Sequence, residues 1–393
     1  MKQESISPFP FKHVIALHDA WWERQLPGPV FMCQYPRDPD ISFKDLARPW
    51  MRPHHTEKWS LWGQESLWSL AFATWRKTRD ESVLMEAMAV LDRYFENAAY
   101  ADLGFPYARP DLAAVGLSGI ISGSCHHTGE SMWYDQDPGW ELDRIRTACG
   151  DALAGDYWRD IQTSAQLLFD RFSGRVLFSS MEFGEPMDVL SSLRGAGNLM
   201  LDLLECPEEV DQTLAAINTV RWQAFENLSA RATAANRGIG YTETMRFASS
   251  KPVWCSACDT AALFSPAMVE RFVVPTILEE AARFRLAWHL DGPDMPRHLD
   301  VLQSIPAIQC IQWVPGAGKP GWCDPAWDDL YRRIHSTGRR IGMLVANESE
   351  VPALAALLKR HPPEAFYIWC FPSSREIAAA FMSAAGRDFN AHE

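Results

Sequence analysis

The last third of the chain alternates short apolar runs with segments of helical periodicity. Four apolar runs, residues 286–290, 307–313, 341–346 and 365–370, have the length and β-branched or aromatic content of strands. Each is followed by a predicted helix, at residues 296–304, 325–337, 350–360 and 373–385. Parallel strands that are covered on both faces read as continuous apolar runs. The alternation therefore predicts successive βα units of a parallel sheet.

The pattern is weaker in the first two thirds of the chain. Residues 28–35, 174–180 and 237–244 read as strands, and residues 66–77, 82–100 and 207–228 read as helices. The last of these helices opens with a proline and two acidic residues, a typical helix start. The whole pattern predicts an α/β fold, a single (β/α)8 TIM barrel over residues 28–393, with helical insertions in its N-terminal half and an extension at residues 1–27. A doubly wound open sheet is the competing fold, but no GxGxxG or GxxxxGK supports it.

Composition narrows the class of partner. The 393 residues include 50 acidic and 37 basic ones, a formal net charge of -13, without a Lys/Arg block that could follow a phosphate backbone or an anionic membrane. No apolar run approaches the roughly 18 residues of a membrane span, and the N-terminus lacks a signal-peptide core. We therefore expect a cytoplasmic protein that acts on a small molecule, without nucleic acid or membrane as partner. The nine cysteines are expected as free thiols or ligands.

The ends of the four clear strands carry the candidate chemistry, because reactive groups of a barrel lie at the carboxyl ends of its strands. These ends present His289 and Asp291, Trp313, Asn347, and Cys370. An imidazole, a carboxylate and a thiolate together suit zinc, which in catalytic sites keeps three protein ligands and one open position. Two of these residues also have simpler, structural explanations. Asp291 precedes a glycine as turn residues do, and Cys370 has the surroundings of a small buried hydrophobe.

Two other places offer weaker signals. Cys255 and Cys258 form a CxxC spacing, which indicates a redox pair or half of a zinc site, although the chain has no second CxxC. Asp259 follows them directly and precedes a predicted helix that is capped by Ser265. Glu243 ends a predicted strand, where it could act as a general base or a further ligand. The sequence contains no GxSxG, HExxH or phosphate loop.

Several motifs in this order resemble the uroporphyrinogen decarboxylase (URO-D) and cobalamin-dependent methyltransferase superfamily. They are PVFMCQYP, DVLSSLRGAGNLMLDLLECPEEV, CDTAALFSPAMVERFVVP, HLDGPDMPRHLDVLQSIPAIQCIQWVPGAGKP and FYIWCFPSSREI. The resemblance covers most of residues 28–385. It implies a (β/α)8 barrel, which agrees with the alternation of strands and helices.

The decarboxylase members of this superfamily bind substrate carboxylates through an arginine after the FM pair and carry a catalytic aspartate in an FSDI-type motif. Here Cys33 stands at the arginine position, Gln34 is retained, and no FSDI-type motif is present. These differences argue against porphyrin decarboxylation.

The methyltransferase members bind zinc through a His-x-Cys pair and a distant cysteine near the last strand. The resemblance therefore implies a zinc site at His289, Asp291 and Cys370, with the methyl group carried by a corrinoid on a partner protein. Asp291 replaces a soft sulfur ligand with a harder oxygen, which makes the metal a stronger Lewis acid. Methylation of a coenzyme thiol is then less expected than methyl transfer with another donor or acceptor.

The leading hypothesis is a metal-dependent enzyme that moves a methyl group between a small substrate and a corrinoid protein. Catalytic roles are predicted for Asp291, Glu243 and Asp259. Substrate contacts are predicted for Gln34, Tyr35, Arg194, Trp254 and Trp313. One alternative is a metal-free decarboxylase that uses Asp291 or Asp259 as acid and base and Arg194 or Arg37 as carboxylate holder. Another is a non-catalytic module that binds a tetrapyrrole or corrinoid on its tryptophans.

Overall fold

The computed structural model describes residues 9–51, 63–128, 131–134, 136, 139–345 and 348–392. Its helices are α1 (Phe11–Trp22), α2 (Phe43–Met51), α3 (Gly63–Thr78), α4 (Ser82–Asn97), α5 (Gly116–Ser122), α6 (Leu142–Asp151), α7 (Asp156–Phe172), α8 (Pro186–Arg194), α9 (Ala196–Glu205), α10 (Pro207–Ala235), α11 (Pro266–Phe272), α12 (Val274–Ala281), α13 (Leu299–Gln303), α14 (Asp328–Ser336), α15 (Val351–Arg360) and α16 (Arg375–Ala384).

The strands are β1 (Val30–Pro36), β2 (Ala98–Asp102), β3 (Tyr107–Ala108), β4 (His126–His127), β5 (Met132–Trp133), β6 (Leu177–Phe178), β7 (Tyr241–Thr242), β8 (Ala248–Ser249), β9 (Val253–Ser256), β10 (Arg285–Asp291), β11 (Ile308–Val314), β12 (Arg340–Val345), β13 (Phe366–Cys370) and β14 (Ala391–His392). Eight of them form one sheet in the order β14-β2-β1-β13-β12-β11-β10-β9. All pairings from β9 to β1 in this sheet are parallel, whereas β1–β2 and β2–β14 are antiparallel.

The parallel βα units predicted for the last third are confirmed. Strands β10, β11, β12 and β13 cover the four apolar runs and pair in parallel in chain order. Helices α13, α14, α15 and α16 follow them in turn. The cap at the start of α11 is also confirmed, since the Ser265 hydroxyl accepts a hydrogen bond from the Met268 backbone N–H.

Predictions for the earlier part of the chain were less accurate. The helix predicted over 82–100 ends at Asn97, and residues 98–102 instead form β2. All five residues of β2 are buried, and β2 pairs with both β1 and β14, so tertiary pairing outweighs local helix propensity. The strand β9 lies where the sequence showed only a CxxC spacing, and it forms the edge next to β10.

A closed barrel is not shown by the hydrogen bonds of the described residues. In that part of the chain, the main sheet ends at β9 on one side and β14 on the other, while β3–β6, β4–β5 and β7–β8 form separate pairs. Strand β7 lies beside both β6 and β9. The structure therefore shows a mixed α/β fold with a large, mostly parallel sheet, and the closed ring stays a prediction.

The two faces of the sheet pack differently. One face, here called the helix face, includes Trp288, Ile311 and Cys370, which pack with residues of the surrounding helices. The other face includes Ala287, Cys310, Leu344 and Trp369. It is here called the cavity face, because it borders the cavity described below. Side chains of a strand alternate between faces, so neighbours such as Trp369 and Cys370 have different surroundings.

Helix α1 belongs to the folded body although it lies within the predicted extension at residues 1–27. Its Trp21 and Trp22 are buried in the same cluster as the cavity face, and the Trp22 indole donates to the Ala248 carbonyl oxygen at 3.0 Å. The boundary at residue 28 stays a prediction. Among the described helices, none combines the length and the apolarity that crossing a bilayer requires.

Candidate functional site

A cavity of about 1150 Å³ opens beside the carboxyl ends of the parallel strands. A further wall comes from the segments that follow β3 and β6. The sheet contributes these lining residues: Val253, Trp254, Cys255, His289, Gln312, Val314, Leu344 and Trp369. The segments after β3 and β6 contribute these polar ones: Arg109, Asp111, Ser179, Ser180, Glu182, Glu185 and Asp188. The cavity thus combines aromatic surface with many carboxyl groups.

Three potential metal ligands meet at the edge of this cavity, which Asp259 and His289 line and Asp291 does not. One ligand atom each from Asp259, His289 and Asp291 can be chosen so that all lie within 4.8 Å of one another. His289 and Asp291 are two residues apart on β10 and therefore share a face. Asp259 begins the 3-10 helical turn after β9, the strand that pairs with β10. Neighbouring strand ends therefore bring the three side chains together.

The imidazole of His289 is oriented by the adjacent strand. His289 and Gln312 are register partners on β10 and β11, and His289 Nδ1 is hydrogen-bonded to the Gln312 side-chain oxygen. The amide oxygen can only accept, so Nδ1 donates this hydrogen bond, and Nε2 is the ring atom nearer Asp291. Nε2 lies 4.0 Å from Asp291 Oδ2. A second hydrogen bond that fixes the tautomer in this way is typical of metal-binding histidines.

Asp259 lies in a strongly acidic environment. Although the residue is exposed, desolvation of its carboxyl raises the pKa to about 6; the negative charges of Asp188 and Asp291 add to the rise, and His289 opposes it. Asp188 also holds the loop, because it accepts hydrogen bonds from the Asp259 backbone N–H at 3.0 Å and from the Thr260 hydroxyl at 2.6 Å. A divalent cation between Asp259 and Asp291 would relieve this repulsion.

Arg109 and its acidic neighbours were not found from the sequence. Arg109 forms ion pairs with Asp111 at 2.7 Å and with Glu182 at 3.2 Å. Burial raises the pKa of Glu182, and the charge of Arg109 opposes the rise. A usable signal was present, since Glu182, Glu185 and Asp188 follow the predicted strand 174–180 at spacings of three.

Glu243 lines the cavity but is not one of the three clustered ligands. Its carboxylate accepts hydrogen bonds at 2.8 Å from the backbone N–H groups of Met245 and Phe247, and so it holds the turn between β7 and β8. Burial raises its pKa to about 7, and these hydrogen bonds oppose the rise. Its role as a base or ligand stays a prediction.

The structure does not bring Cys370 to His289 and Asp291. Cys370 is fully buried on the helix face of β13, where its register partner across the parallel pair is Cys33. Burial raises the pKa of the Cys370 thiol well above its usual range. The cavity is instead lined by the preceding residue, Trp369. Asn347, the strand end predicted on β12, lies outside the described residues.

The CxxC cysteines also stay outside the ligand cluster. Cys255 lines the cavity on β9, whereas Cys258 is buried and its thiol lies 3.9 Å from Asp188 Oδ1. Burial raises the pKa of both thiols well above the usual range. Neither cysteine is therefore set up as a thiolate in this structure.

The predicted substrate contacts are divided between the cavity and the rest of the fold. Trp254 lines the cavity. Trp313 is fully buried on the helix face of β11 and packs edge-on against Trp327, with ring centroids 5.1 Å apart. Arg194 ends α8, where it forms an ion pair with Asp202 at 2.6 Å. Trp313 and Arg194 are not among the residues that line the cavity.

Gln34 and Tyr35 lie near the end of β1 and contact other parts of the fold. The Gln34 amide donates to the Tyr94 hydroxyl, and Arg246 donates to the Gln34 side-chain oxygen at 3.5 Å. The Tyr35 ring packs against Phe389, with centroids 5.9 Å apart. Neither residue is among those that line the cavity.

Comparisons with known proteins bear on the fold. No family model matches the sequence, and no curated protein is significantly similar to it. Among solved structures, the chain resembles a methyltransferase from Methanosarcina mazei with a TM-score of 0.55. The match covers 95% of this chain and 98% of that one, at 11% sequence identity. At so low an identity, the likeness establishes a shared fold over nearly the whole chain.

Proposed function

We propose that this protein is an enzyme of the URO-D and methyltransferase type, with a closed (β/α)8 barrel and a divalent metal at Asp259, His289 and Asp291. The proposed reaction moves a methyl group between a small substrate and a corrinoid held by a partner protein. The observation that carries the proposal is the meeting of three ligand atoms within 4.8 Å at the edge of a large cavity. The likeness in fold to a methyltransferase supports the type of reaction.

The donor set fits a catalytic metal. One imidazole nitrogen and two carboxylate oxygens suit zinc, and they leave a coordination position for a substrate atom. When bound there, the metal would act as a Lewis acid on that atom. Asp259 takes the place that the resemblance assigned to Cys370, because Cys370 faces away from the cavity. The protein itself positions the ligands. Gln312 orients His289 by a hydrogen bond, and Asp188 fixes the loop that carries Asp259.

The size of the cavity supports transfer between two molecules. Pockets for single small molecules measure about 300–1,000 Å³, and this cavity has about 1150 Å³. It therefore has room for a small substrate and for part of a larger methyl carrier. The walls include Trp254 and Trp369, two aromatic residues that make this side of the cavity apolar.

Decarboxylation without a metal is less well supported. That reaction would need a cationic side chain free to hold the substrate carboxylate. Arg109 is the arginine that lines the described cavity, and it is already ion-paired with Asp111 and Glu182. Arg194 is ion-paired with Asp202 at the end of α8, and Arg37, the other predicted carboxylate holder, is exposed and is not among the residues that line the cavity.

Metal titration tests the proposal. Calorimetric titration of the metal-stripped protein with zinc, and separately with manganese, is expected to show one site per chain. His289→Ala should abolish measurable binding at that site. Cys370→Ala is the matched control and should bind as tightly as the unaltered protein. The proposed site is wrong if the unaltered protein binds neither ion, or if Cys370→Ala loses binding while Asp259→Ala keeps it.

A further inference from the structure

A buried cluster of one arginine and two glutamates adjoins the cavity. Arg221, on α10, is fully buried. Its Nη1 atom donates to Glu280 Oε1 at 2.6 Å and also to Glu185 Oε2. Glu280, on α12, is fully buried, and Glu185, at the residue before α8, is 6% exposed. The Glu185 side chain makes no hydrogen bond to its own helix end, so it is directed to Arg221 instead.

The charges of this cluster do not balance if both glutamates are ionised. Two carboxylates and one guanidinium would leave a net negative charge in a buried place, where an uncompensated ion costs several kcal/mol. The two carboxyl groups contact the same nitrogen atom, so both are held beside one positive charge. Two ionised carboxylates in one buried site repel each other, and a single guanidinium neutralises only one of them. Charge balance therefore favours a state in which one of the two carboxyl groups keeps its proton.

The surrounding charges favour retention of the proton. Burial raises the pKa of Glu185 well above its ordinary range, the charge of Arg221 opposes the rise, and Glu280 and Asp188 add to it. Glu279, next in sequence to Glu280, has its own cationic partner, Arg283, at 3.4 Å and so adds little to this effect. Glu279 itself accepts a hydrogen bond from Asn218 at 2.6 Å.

Only one of the two glutamates reaches the cavity within the described part of the chain. Glu185 lines the cavity, and its Oε1 atom accepts a hydrogen bond from the Trp254 indole at 3.3 Å. Glu280 is not among the lining residues. We propose that the Glu185–Arg221–Glu280 cluster holds one proton at neutral pH and that Glu185 is the proton donor of the cavity.

The proton has a use in the proposed reaction, on which this inference rests. When a methyl group leaves an oxygen or nitrogen atom, the bond breaks with both electrons on that atom, and a nucleophile of the acceptor supplies the pair for the new bond to carbon. The leaving atom then takes the proton of Glu185. The resulting carboxylate is stabilised by Arg221 and regains a proton from water. Glu185 would thus allow a poor leaving group to depart as a neutral molecule.

Infrared difference spectroscopy tests whether the cluster holds a proton. The unaltered protein at neutral pH should show the C=O stretch of a protonated carboxyl group that is missing from Glu185→Gln. The same band should disappear in Glu280→Gln, because the remaining glutamate then forms a balanced pair with Arg221 and ionises. Glu279→Gln, one position away on α12, is the control and should keep the band. A band that survives in both cluster variants would overturn the inference.

Chemical labelling locates the proton in the native protein, without a substitution. Dicyclohexylcarbodiimide adds to protonated carboxyl groups and is apolar enough to enter an aromatic cavity. At neutral pH it should modify Glu185 of the native protein, as read by peptide mass spectrometry, and the yield should fall at least tenfold in Glu280→Gln. Labelling of Glu280 in place of Glu185, or of neither, would show that the cavity has no such donor.

These outcomes are independent of the metal titration. If the native protein binds zinc but Glu185 is ionised, the metal site stands and the proton donor is wrong. If Glu185 is protonated but no metal binds, the cluster stands and its assignment to methyl transfer loses its basis.

Discussion

His289 shows how much a single side chain depends on its neighbour across the sheet. Its Nδ1 atom is hydrogen-bonded to Gln312, its register partner on β11, so that Nε2 is left for a metal beside Asp291. Gln312 is 5% exposed and has little freedom to turn away. The orientation of the proposed ligand is therefore set by a residue outside the three proposed ligands.

We expect Gln312→Ala to lower the affinity for the metal by about 10- to 100-fold, because the imidazole loses the hydrogen bond that fixes its tautomer and ring angle. Calorimetric titration with zinc measures the effect. Gln309→Ala, at an exposed position of the same strand, is the control and should leave the affinity unchanged. An unchanged affinity in Gln312→Ala would show that the hydrogen bond does not orient the ligand.

Glu243 provides a prediction on pH and stability. Burial raises its pKa from the ordinary 4.5 to about 7 in the folded protein, so the folded state binds this proton more tightly than the unfolded state does. The corresponding stabilisation is fully present below pH 4.5 and is lost as the pH rises through about 7. In Glu243→Gln, which cannot titrate, this part of the pH dependence should disappear.

The measurement is the free energy of unfolding in urea for both proteins across that pH interval. The stability of the unaltered protein relative to Glu243→Gln should fall with rising pH, by at most about 3 kcal/mol. A constant difference across the interval would mean that the pKa of Glu243 is not raised by burial.

At the scale of elements, the parallel strands decide which side chains reach the cavity. Along β13, Trp369 lines the cavity, whereas Cys370 lies on the helix face beside Cys33. The neighbouring strand β12 has a glycine, Gly342, at the position where the Trp369 ring lies. A methyl group on Gly342 of β12 would lie 2.7 Å from Cη2 of the Trp369 ring, closer than carbon atoms approach each other. The indole therefore lies across a strand position that has no side chain.

Gly342→Ala is expected to destabilise the fold by about 1–3 kcal/mol, since the added methyl group must displace the buried Trp369 ring. Gly150→Ala is a control for which we expect a change in stability of the opposite sign. A methyl group on Gly150, near the end of α6, would meet no atom within 4 Å, and alanine should stabilise the helix by up to about 1 kcal/mol. The free energy of unfolding in urea should fall in Gly342→Ala and rise in Gly150→Ala. An unchanged free energy of unfolding in Gly342→Ala would refute the packing argument.

At the scale of the whole molecule, the proposed metal would connect the ends of two neighbouring strands, β9 and β10. Asp259 follows β9, and His289 and Asp291 end β10. A ligand that binds only the folded state stabilises that state by mass action. The metal should therefore act on global stability as well as on the cavity.

With zinc at a free concentration of 100 times its Kd, the free energy of unfolding should rise by about 2.7 kcal/mol. The rise should be absent in His289→Ala and present in Cys370→Ala, as measured by thermal or urea unfolding with and without the metal. Equal stabilisation of all three proteins would indicate that zinc binds elsewhere.

The sequence by itself determined the parallel βα units of the last third and the pairing of His289 with Asp291. Both are local properties. Continuous apolar runs mark strands that are covered on two faces, and residues two apart on a strand share a face whatever the rest of the fold does. Motif order also indicated a superfamily resemblance, whereas the comparisons show only a likeness in fold to a methyltransferase at 11% identity and no matching family model.

Only the tertiary structure decided which other residues join His289 and Asp291. Asp259 lies close because its turn follows β9, a strand that the sequence pattern did not reveal. Cys370 lies away because a shift of one residue along a strand reverses the face of the side chain. The buried cluster of Glu185, Arg221 and Glu280 comes from three helices or their ends, and no local pattern relates residues so far apart in the chain. Contacts of this kind depend on how the elements pack, which the periodicity of each element does not specify.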